Sequence, residues 1–184
     1  DYKFHEEDEE SPTKLGRKWF GNRFDIENEQ SFTFEFPNIV AGKPMQLTIK
    51  SAAASESNTS MAVTVNSTSL DPITFSRLGI GGLLDLDDYY EEIAASNESV
   101  QVDLMYNNAG NPSSIAYLDY IGLWAVRKLS GVDGQFNFRY KAATTLAGVG
   151  EYQISNASQF SQVWDVTDTQ FITSKQNEGN AATF

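Results

Sequence analysis

The longest apolar segment of the chain, residues 114–126, predicts the central strand of the fold. Its apolar side chains fall on both parities, which is typical of a strand covered on both faces. A helix is the alternative, because Tyr117, Ile121 and Trp124 also fit the spacing i, i+4, i+7. Gly122 and the aromatic content favour the strand, and Gly122 is the expected place of a bend.

Shorter stretches alternate between apolar and polar residues, with the period of two of a half-exposed strand. They comprise residues 32–36, 45–49, 61–65, 73–78, 100–106, 136–140, 151–154 and 163–166. The Asn- and Gly-rich turn at residues 107–112 predicts that residues 100–106 and 114–126 form a hairpin. Residues 78–90 break the rhythm and indicate a long loop, with a helical turn near residues 87–95.

Taken together, the pattern predicts an all-β fold, an antiparallel, jelly-roll-like β-sandwich of about nine or ten strands. Residues 1–16 are acidic and polar and indicate an N-terminal tether. The sandwich domain is then expected over residues 17–172, and residues 173–184 are expected to be a linker toward a further domain. No stretch has the roughly 18 consecutive apolar residues of a membrane-spanning helix, so no membrane insertion is expected.

Charge and composition exclude several classes of function. Thirteen basic and 25 acidic residues give a net charge of −12, which disfavours nucleic acid and anionic membranes as partners. The chain has no cysteine, and its one histidine, His5, lies in an acidic run where a solvated side chain is expected. We therefore expect no catalytic residue, no metal site and no cofactor in this chain.

An acidic stretch at residues 85–92 is a candidate calcium site, because calcium prefers carboxylate oxygens. Its carboxylates are Asp85, Asp87, Asp88, Glu91 and Glu92. Their spacing lacks the pattern of a helix-loop-helix calcium loop, so a solvated acidic surface is the favoured interpretation.

One carboxylate, Asp119, lies in the middle of the apolar segment. A buried carboxylate needs partners, so Asp119 is predicted to be a structural buried polar residue, ion-paired with Arg127, Arg139 or another base. The alternative is an acid/base pair with Asp103.

Aromatic residues permit a different function. Exposed tryptophan and tyrosine side chains on a β-sandwich form a platform for sugar stacking, and Tyr89, Tyr90, Trp124 and Trp164 are available. In a domain of this size most such residues belong to the core, which is the competing interpretation.

Three motifs occur in a characteristic order. They are Trp-Phe-Gly-Asn-Arg-Phe at residues 19–24, Tyr-Leu-Asp-Tyr-Ile at 117–121 and Val-Trp-Asp-Val-Thr-Asp at 163–168. The set resembles the region that precedes the peptidase domain in gingipain-family cysteine peptidases, in particular the surface sortase of the type IX secretion system of Bacteroidetes. The resemblance runs from Trp19 to Phe171.

This resemblance implies a non-catalytic β-sandwich module of a cell-surface, outer-membrane-associated peptidase or sortase, on its extracellular side. The family's catalytic Cys and His lie downstream, so no catalytic residue is carried over. The implied partners are the downstream peptidase domain and the C-terminal domains of secreted cargo. Trp19, Arg23, Trp164 and Asp165 are the candidates for these contacts. A carbohydrate-binding module of a bacterial surface protein is the alternative.

Overall fold

The computed structural model describes residues 1–14 and 18–184, which form two compact units. Residues 2–126 form the sandwich unit, and Asp1 with residues 127–184 forms the C-terminal unit. This division after residue 126 differs from the single domain predicted for residues 17–172. The predicted boundary between residues 16 and 17 lies outside the described residues.

The described part of the sandwich unit has ten strands, and its strand pairs are antiparallel. They are β1 Tyr2–Glu6, β2 Asn22–Phe24, β3 Glu29–Glu35, β4 Pro44–Ala54, β5 Thr59–Val65, β6 Thr68–Ser69, β7 Ile73–Phe75, β8 Asp85–Ala94, β9 Ser99–Asn107 and β10 Ile115–Trp124. Most of the predicted alternating stretches of this unit lie within these strands.

The ten strands form two sheets. In the first sheet, β1 and β2 both pair with β10, which is followed by β4 and β8. In the second, the order is β3, β9, β5, and both β6 and β7 pair with β5. The main strands β2-β10-β4-β8 and β3-β9-β5-β7 therefore follow jelly-roll order, which confirms the predicted all-β antiparallel sandwich.

The core lies between the two sheets and is filled by the inward parity of each strand. Phe32 and Phe34 of β3 meet Leu47 and Ile49 of β4 in one buried cluster, which also includes Met61 of β5. The alternating burial of β3, β4, β5 and β9 follows the sequence pattern, because neighbouring side chains of a strand point to opposite faces. Burying these side chains stabilises the unit by about 1.5–3 kcal/mol for each large apolar residue.

The predicted hairpin of residues 100–106 and 114–126 is wrong. β9 pairs with β3 and β5, whereas β10 pairs with β1, β2 and β4. The connection over residues 108–114 therefore passes from one sheet to the other, a distance of about 10 Å. A turn-rich segment specifies a reversal of the chain and leaves open which sheet the next strand joins.

Three further expectations are overturned by strands on the rim of the first sheet. Residues 2–6, predicted as part of a tether, form β1 and pair with residues 120–124 of β10. The His5 ring is half-buried there, 2.7 Å from Asn22 Oδ1, so it is not the solvated side chain that was expected. Residues 85–94, predicted as a loop with a helical turn, form the edge strand β8.

The apolar segment predicted as the central strand forms β10. The alternation of inward and outward side chains along this strand is interrupted once. The register with β4 shifts between Leu118 and Tyr120, so Asp119 is the extra residue of a β-bulge. The bulge lets both Leu118 and Ile121 join the core, while Tyr117 lies on the outward side with Phe20. Apolar residues therefore occur on both parities for two reasons: the bulge shifts the alternation, and both faces of the strand are covered.

The C-terminal unit is small. It contains a 3-10 helix at Lys141–Thr145 and the antiparallel pair β11 Gln162–Asp165 and β12 Thr173–Gln176. The predicted strand at residues 163–166 is confirmed, whereas those at 136–140 and 151–154 are wrong. Phe136, Phe138 and Phe160 instead form ring contacts, and their alternation imitates a strand.

The predicted linker at residues 173–184 is instead tied into this unit. Asn177 is buried, and its Nδ2 donates to the carbonyl oxygens of Ala157, Phe160 and Ala181. Ile154 and Phe184 exchange two backbone hydrogen bonds of 2.7 and 2.9 Å. Side-chain amides and backbone groups, which leave no hydrophobic pattern, hold this segment. Over the described chain, no helix has the length and apolar content needed to cross a membrane.

Candidate functional site

The outward side of the first sheet carries a cluster of aromatic rings. The strand register places Phe4 of β1, Gly122 of β10, Thr48 of β4 and Tyr90 of β8 in one row across the sheet. Phe4 and Tyr90 at the two ends of this row are 58% and 65% exposed. The row has a low middle, since Gly122 has no side chain and Thr48 has a short one.

Two parallel rows flank this one. They are Tyr2, Trp124, Gln46 and Glu92 on one side, and Glu6, Tyr120, Lys50 and Asp88 on the other. We call these three rows of four positions the aromatic face. Five of its described positions are aromatic and none is Leu, Ile, Val or Met.

Adjacent rings on the aromatic face are nearly parallel. The ring centroids of Tyr2 and Phe4 are 5.8 Å apart at 21°, and those of Phe4 and Tyr120 are 6.3 Å apart at 22°. Tyr2 also packs on Trp124 at 4.4 Å, with the two rings tilted by 30°. A Cβ at Gly122 would come within 2.8 Å of ring atoms of Tyr120, so this ring lies low across the glycine. The rings therefore form a shallow surface.

The outward side of the second sheet differs. The described positions on the outward sides of β3 and β9 carry no aromatic ring; they are Glu29, Ser31, Thr33, Glu35, Ser99, Gln101, Asp103, Met105 and Asn107. This side has the ordinary polar composition of a solvated sheet, which makes the aromatic face the exception.

Asp119 marks one end of the aromatic face. Its Oδ2 lies 3.3 Å from Lys18 Nζ, so its partner is another base and neither Arg127 nor Arg139. The Asp119 side chain is 15% exposed, against 52% for Lys18. The pair links the segment that carries Phe20 to the bulge. Arg127 pairs with Asp1 in the C-terminal unit at 3.0 Å.

The acid/base alternative for Asp119 and Asp103 is not supported by their positions. Asp103 lies on the second sheet and accepts hydrogen bonds from Ser31 Oγ and Gln101 Nε2. Asp119 lies on the first sheet with Lys18. The two carboxylates thus belong to opposite sides of the sandwich with separate partners.

The residues predicted for inter-domain contact are divided between the two units. Trp19 is 45% exposed, and Arg23 on β2 pairs with Asp25 at 2.9 Å. Trp164 and Asp165 lie on β11 in the C-terminal unit. Trp164 is 56% exposed, so burial does not anchor it. Hydrogen bonds from Thr167 lower the pKa of the Asp165 carboxyl.

The acidic stretch that was the candidate calcium site forms strand β8. Neighbouring carboxylates therefore point to opposite faces of the sheet. Asp85, Asp87 and Glu91 lie on the inward parity of β8, and Asp88 and Glu92 on the outward parity. Among the described residues, no group of three or more His, Cys, Asp or Glu side chains is placed to hold a metal ion. Inward-pointing charges on an edge strand instead protect the sheet from pairing with another chain.

The environment of Asp87 predicts how the stability of the chain depends on pH. Burial, and then the charges of Asp85 and Asp88, raise the pKa of the Asp87 carboxyl. A carboxyl whose pKa is raised by folding contributes its full stabilisation only below its unfolded-state pKa of about 3.9. That contribution is lost as the pH rises through the folded-state pKa. Asp87→Asn is therefore expected to stabilise the chain at pH 7 by on the order of 0.5 kcal/mol. This gain should disappear below about pH 3.

Urea unfolding at both pH values measures this, with the exposed Glu56→Gln as control. A loss of stability in Asp87→Asn at pH 7 would contradict the assignment.

One pocket of about 330 Å³ lies near the ends of β5, β7 and β9. Asn58, Thr59, Ser76 and Asn107 are among its lining residues, and none of those is charged. Thr59 Oγ1 is buried without a hydrogen-bond partner. No residue predicted from the sequence as a site lines this pocket, so the aromatic face is the stronger candidate.

Sequence reasoning found part of the aromatic face. Of the four proposed stacking residues, Tyr90 and Trp124 lie on it, while Tyr89 is half-buried on the inward parity of β8. Burial, with Glu91 and Asp71, raises the pKa of Tyr89 to about 12. Phe4 and Tyr120 were missed. The signal for Phe4 was the alternation of Tyr2, Phe4 and Glu6 within an acidic segment.

These features define a β-sandwich module with one aromatic outward face. No protein-family model matches the sequence, and no curated protein does. Among solved structures, dimeric latent PorU from Porphyromonas gingivalis is similar, with a TM-score of 0.73 and 18% identity. The match covers 89% of this chain and 16% of the PorU chain.

Two carbohydrate-binding modules are more distantly similar. The CBM36-1 domain of a multidomain xylanase, from the hindgut metagenome of Trinervitermes trinervoides, has a TM-score of 0.45 at 11% identity, covering 68% of this chain and 98% of its own. A family 35 module from Clostridium thermocellum has 0.43 at 12%, covering 68% and 93%. At 18% identity, the PorU match shows a shared fold alone.

Proposed function

We propose that this chain is a non-catalytic β-sandwich module of a larger gingipain-like cysteine peptidase or sortase of the type IX secretion system, displayed at the cell surface. One observation carries the proposal. The PorU match takes in nearly the whole of this chain but only 16% of PorU. The module would then be a minor part of a longer protein, with the catalytic machinery elsewhere. The absence of cysteine from the sequence agrees with this division of labour.

The module's role is to support the adjoining peptidase domain, and contact with secreted cargo is a further part of the proposal. Large aromatic side chains left in solvent are candidates for burial against a partner. Trp19 and Trp164 supply such side chains, and Arg23 and Asp165 supply neighbouring charges. A peptidase domain that adjoins this module should therefore be less stable without it, which thermal unfolding of the domain with and without the module tests.

A second candidate function, a carbohydrate-binding module of a surface protein, is favoured by the aromatic face. The adjoining sequence in the gene separates the two candidates. A domain with catalytic Cys and His supports the first, and a glycoside hydrolase supports the second.

A further inference from the structure

We propose that the aromatic face binds a neutral oligosaccharide chain, laid across the strands from Phe4 to Tyr90. This inference rests on the second candidate function, and the support role of the module does not enter it. Sugar rings present flat C–H surfaces that pack on aromatic rings, and their hydroxyl groups need hydrogen-bond partners close by. The aromatic face provides both.

The length of the site follows from the register. Phe4 and Tyr90 lie in one row on β1 and β8, with β10 and β4 between them. Three strand spacings of about 4.8 Å separate their backbones by roughly 14 Å. Gly122 and Thr48 keep the middle of this row low. A chain of a few sugar residues can therefore rest on both end rings.

The polar groups stand beside the rings. Thr48 lies in the central row, and Gln46, Lys50, Asp88 and Glu92 lie in the flanking rows on β4 and β8. They include hydroxyl, amide, ammonium and carboxylate groups, so sugar hydroxyls find donors and acceptors. A ligand site of this kind combines apolar contact with a few placed polar groups.

A protein partner fits the same face less well. The cores of protein interfaces are depleted in Lys, Glu and Asp. Here Glu6, Lys50, Asp88 and Glu92 alternate with the rings, and no aliphatic side chain joins them among the described positions. Charged groups between rings hinder a desolvated protein contact but serve a hydroxylated ligand that keeps part of its water.

The charge of the face selects the class of sugar. Glu6, Asp88 and Glu92 give three carboxylates against the single ammonium of Lys50. The chain as a whole carries a net charge of −12. Uronic acid and sulfated polymers are therefore repelled, and a neutral oligosaccharide is favoured.

Isothermal titration of the intact chain tests the proposal. The probes are neutral hexasaccharides of glucose, xylose, mannose and N-acetylglucosamine, with polygalacturonate as the anionic comparison. We expect at least one neutral probe to bind and to change tryptophan fluorescence, because Trp124 lies on the face. Phe4→Ala and Tyr90→Ala should each weaken binding about tenfold, which corresponds to about 1.4 kcal/mol.

Leucine variants make the test specific. Phe4→Leu and Tyr90→Leu keep an apolar side chain but lose the ring, so they should weaken sugar binding almost as much as alanine does. Met105→Ala, exposed on the outward side of the second sheet, is the matched control and should bind normally. Far-ultraviolet circular dichroism checks that each variant is folded. If Phe4→Ala fails to fold, the Tyr90 variants still test the proposal, because the Tyr90 side chain is highly exposed.

Several results would overturn the proposal. They are no binding by any neutral probe at millimolar concentration, equal binding of polygalacturonate, or unchanged affinity in both alanine variants. Concentration-dependent dimerisation that both leucine variants retain and both alanine variants lose would assign the face to a second copy of the chain. The peptidase domain is absent from this experiment, so its outcome leaves the support role untouched.

Discussion

Deletion of Gly122 is expected to unfold the sandwich unit, whereas deletion of Asp119 is expected to leave it folded. Gly122 faces outward between Ile121 and Leu123, which both face the core. Without Gly122, one half of β10 would turn its side chains to the wrong face, so Leu123 would leave the core and Trp124 would enter it. Such a change removes most of the marginal stability of about 5–15 kcal/mol of a domain. Asp119 is the extra residue of the bulge, so its deletion leaves Leu118 inward and Tyr120 outward in regular alternation.

Deletion of Asp119 removes the bulge and the ion pair with Lys18, which is half exposed. Its cost is expected to be about 1 kcal/mol. Circular dichroism and urea unfolding compare the two variants. Deletion of Ala109, in the exposed connection between β9 and β10, is the matched control and should be tolerated. A cooperative, native-like transition in the chain lacking Gly122, or its loss in the chain lacking Asp119, would show that Asp119 is not the extra residue of β10.

Phe20→Ala is expected to cost about 3–5 kcal/mol in the free energy of unfolding. The Phe20 side chain is fully buried against Tyr117 and Ala52 on the outward side of the first sheet. Its backbone amide and carbonyl also bond to residues 9 and 10. Loss of the ring would leave a cavity and loosen the segment that covers Tyr117.

Trp19→Ala is the matched control, because Trp19 is the adjacent residue but is largely exposed. Its cost should stay within about 0.5 kcal/mol in the isolated chain, as for most surface substitutions. Urea unfolding curves of the two variants measure the difference. Equal losses in both variants would mean that Phe20 does not hold the segment in place.

The strands with inward apolar residues at every second position could be predicted from the sequence. In β3, β4, β5 and β9, side chains alternate between buried and more exposed positions. This period of two is visible in the sequence of each strand by itself. The all-β sandwich followed from these strands and their spacing. Such patterns show that a strand exists but do not show its neighbours.

β1 and β8 could not be predicted, for a physical reason. Both strands lie on the rim of the sheet, and their pairing depends on partners far away in the sequence. Charged residues at inward positions of β8 hide its period while they protect the sheet edge. The bulge at Asp119 was equally hidden, because one extra residue changes no local preference.

The aromatic face illustrates the same limit. Each ring is visible in the sequence, but β1, β10 and β8 are distant along the chain and only the sheet aligns Phe4, Tyr120 and Tyr90. Once residues 2–6 are interpreted as a tether, Phe4 cannot be part of a surface.

The claim that this chain supports a peptidase domain is tested most directly by thermal unfolding of that domain, taken from the adjoining sequence of the gene. The domain is compared alone, fused to this chain, and fused to an unrelated β-sandwich of similar size. We expect a clearly higher melting temperature only in the fusion with this chain, and a loss of that gain in Trp164→Ala. Equal melting temperatures in all three proteins, or a gain that Trp164→Ala retains in full, would contradict it.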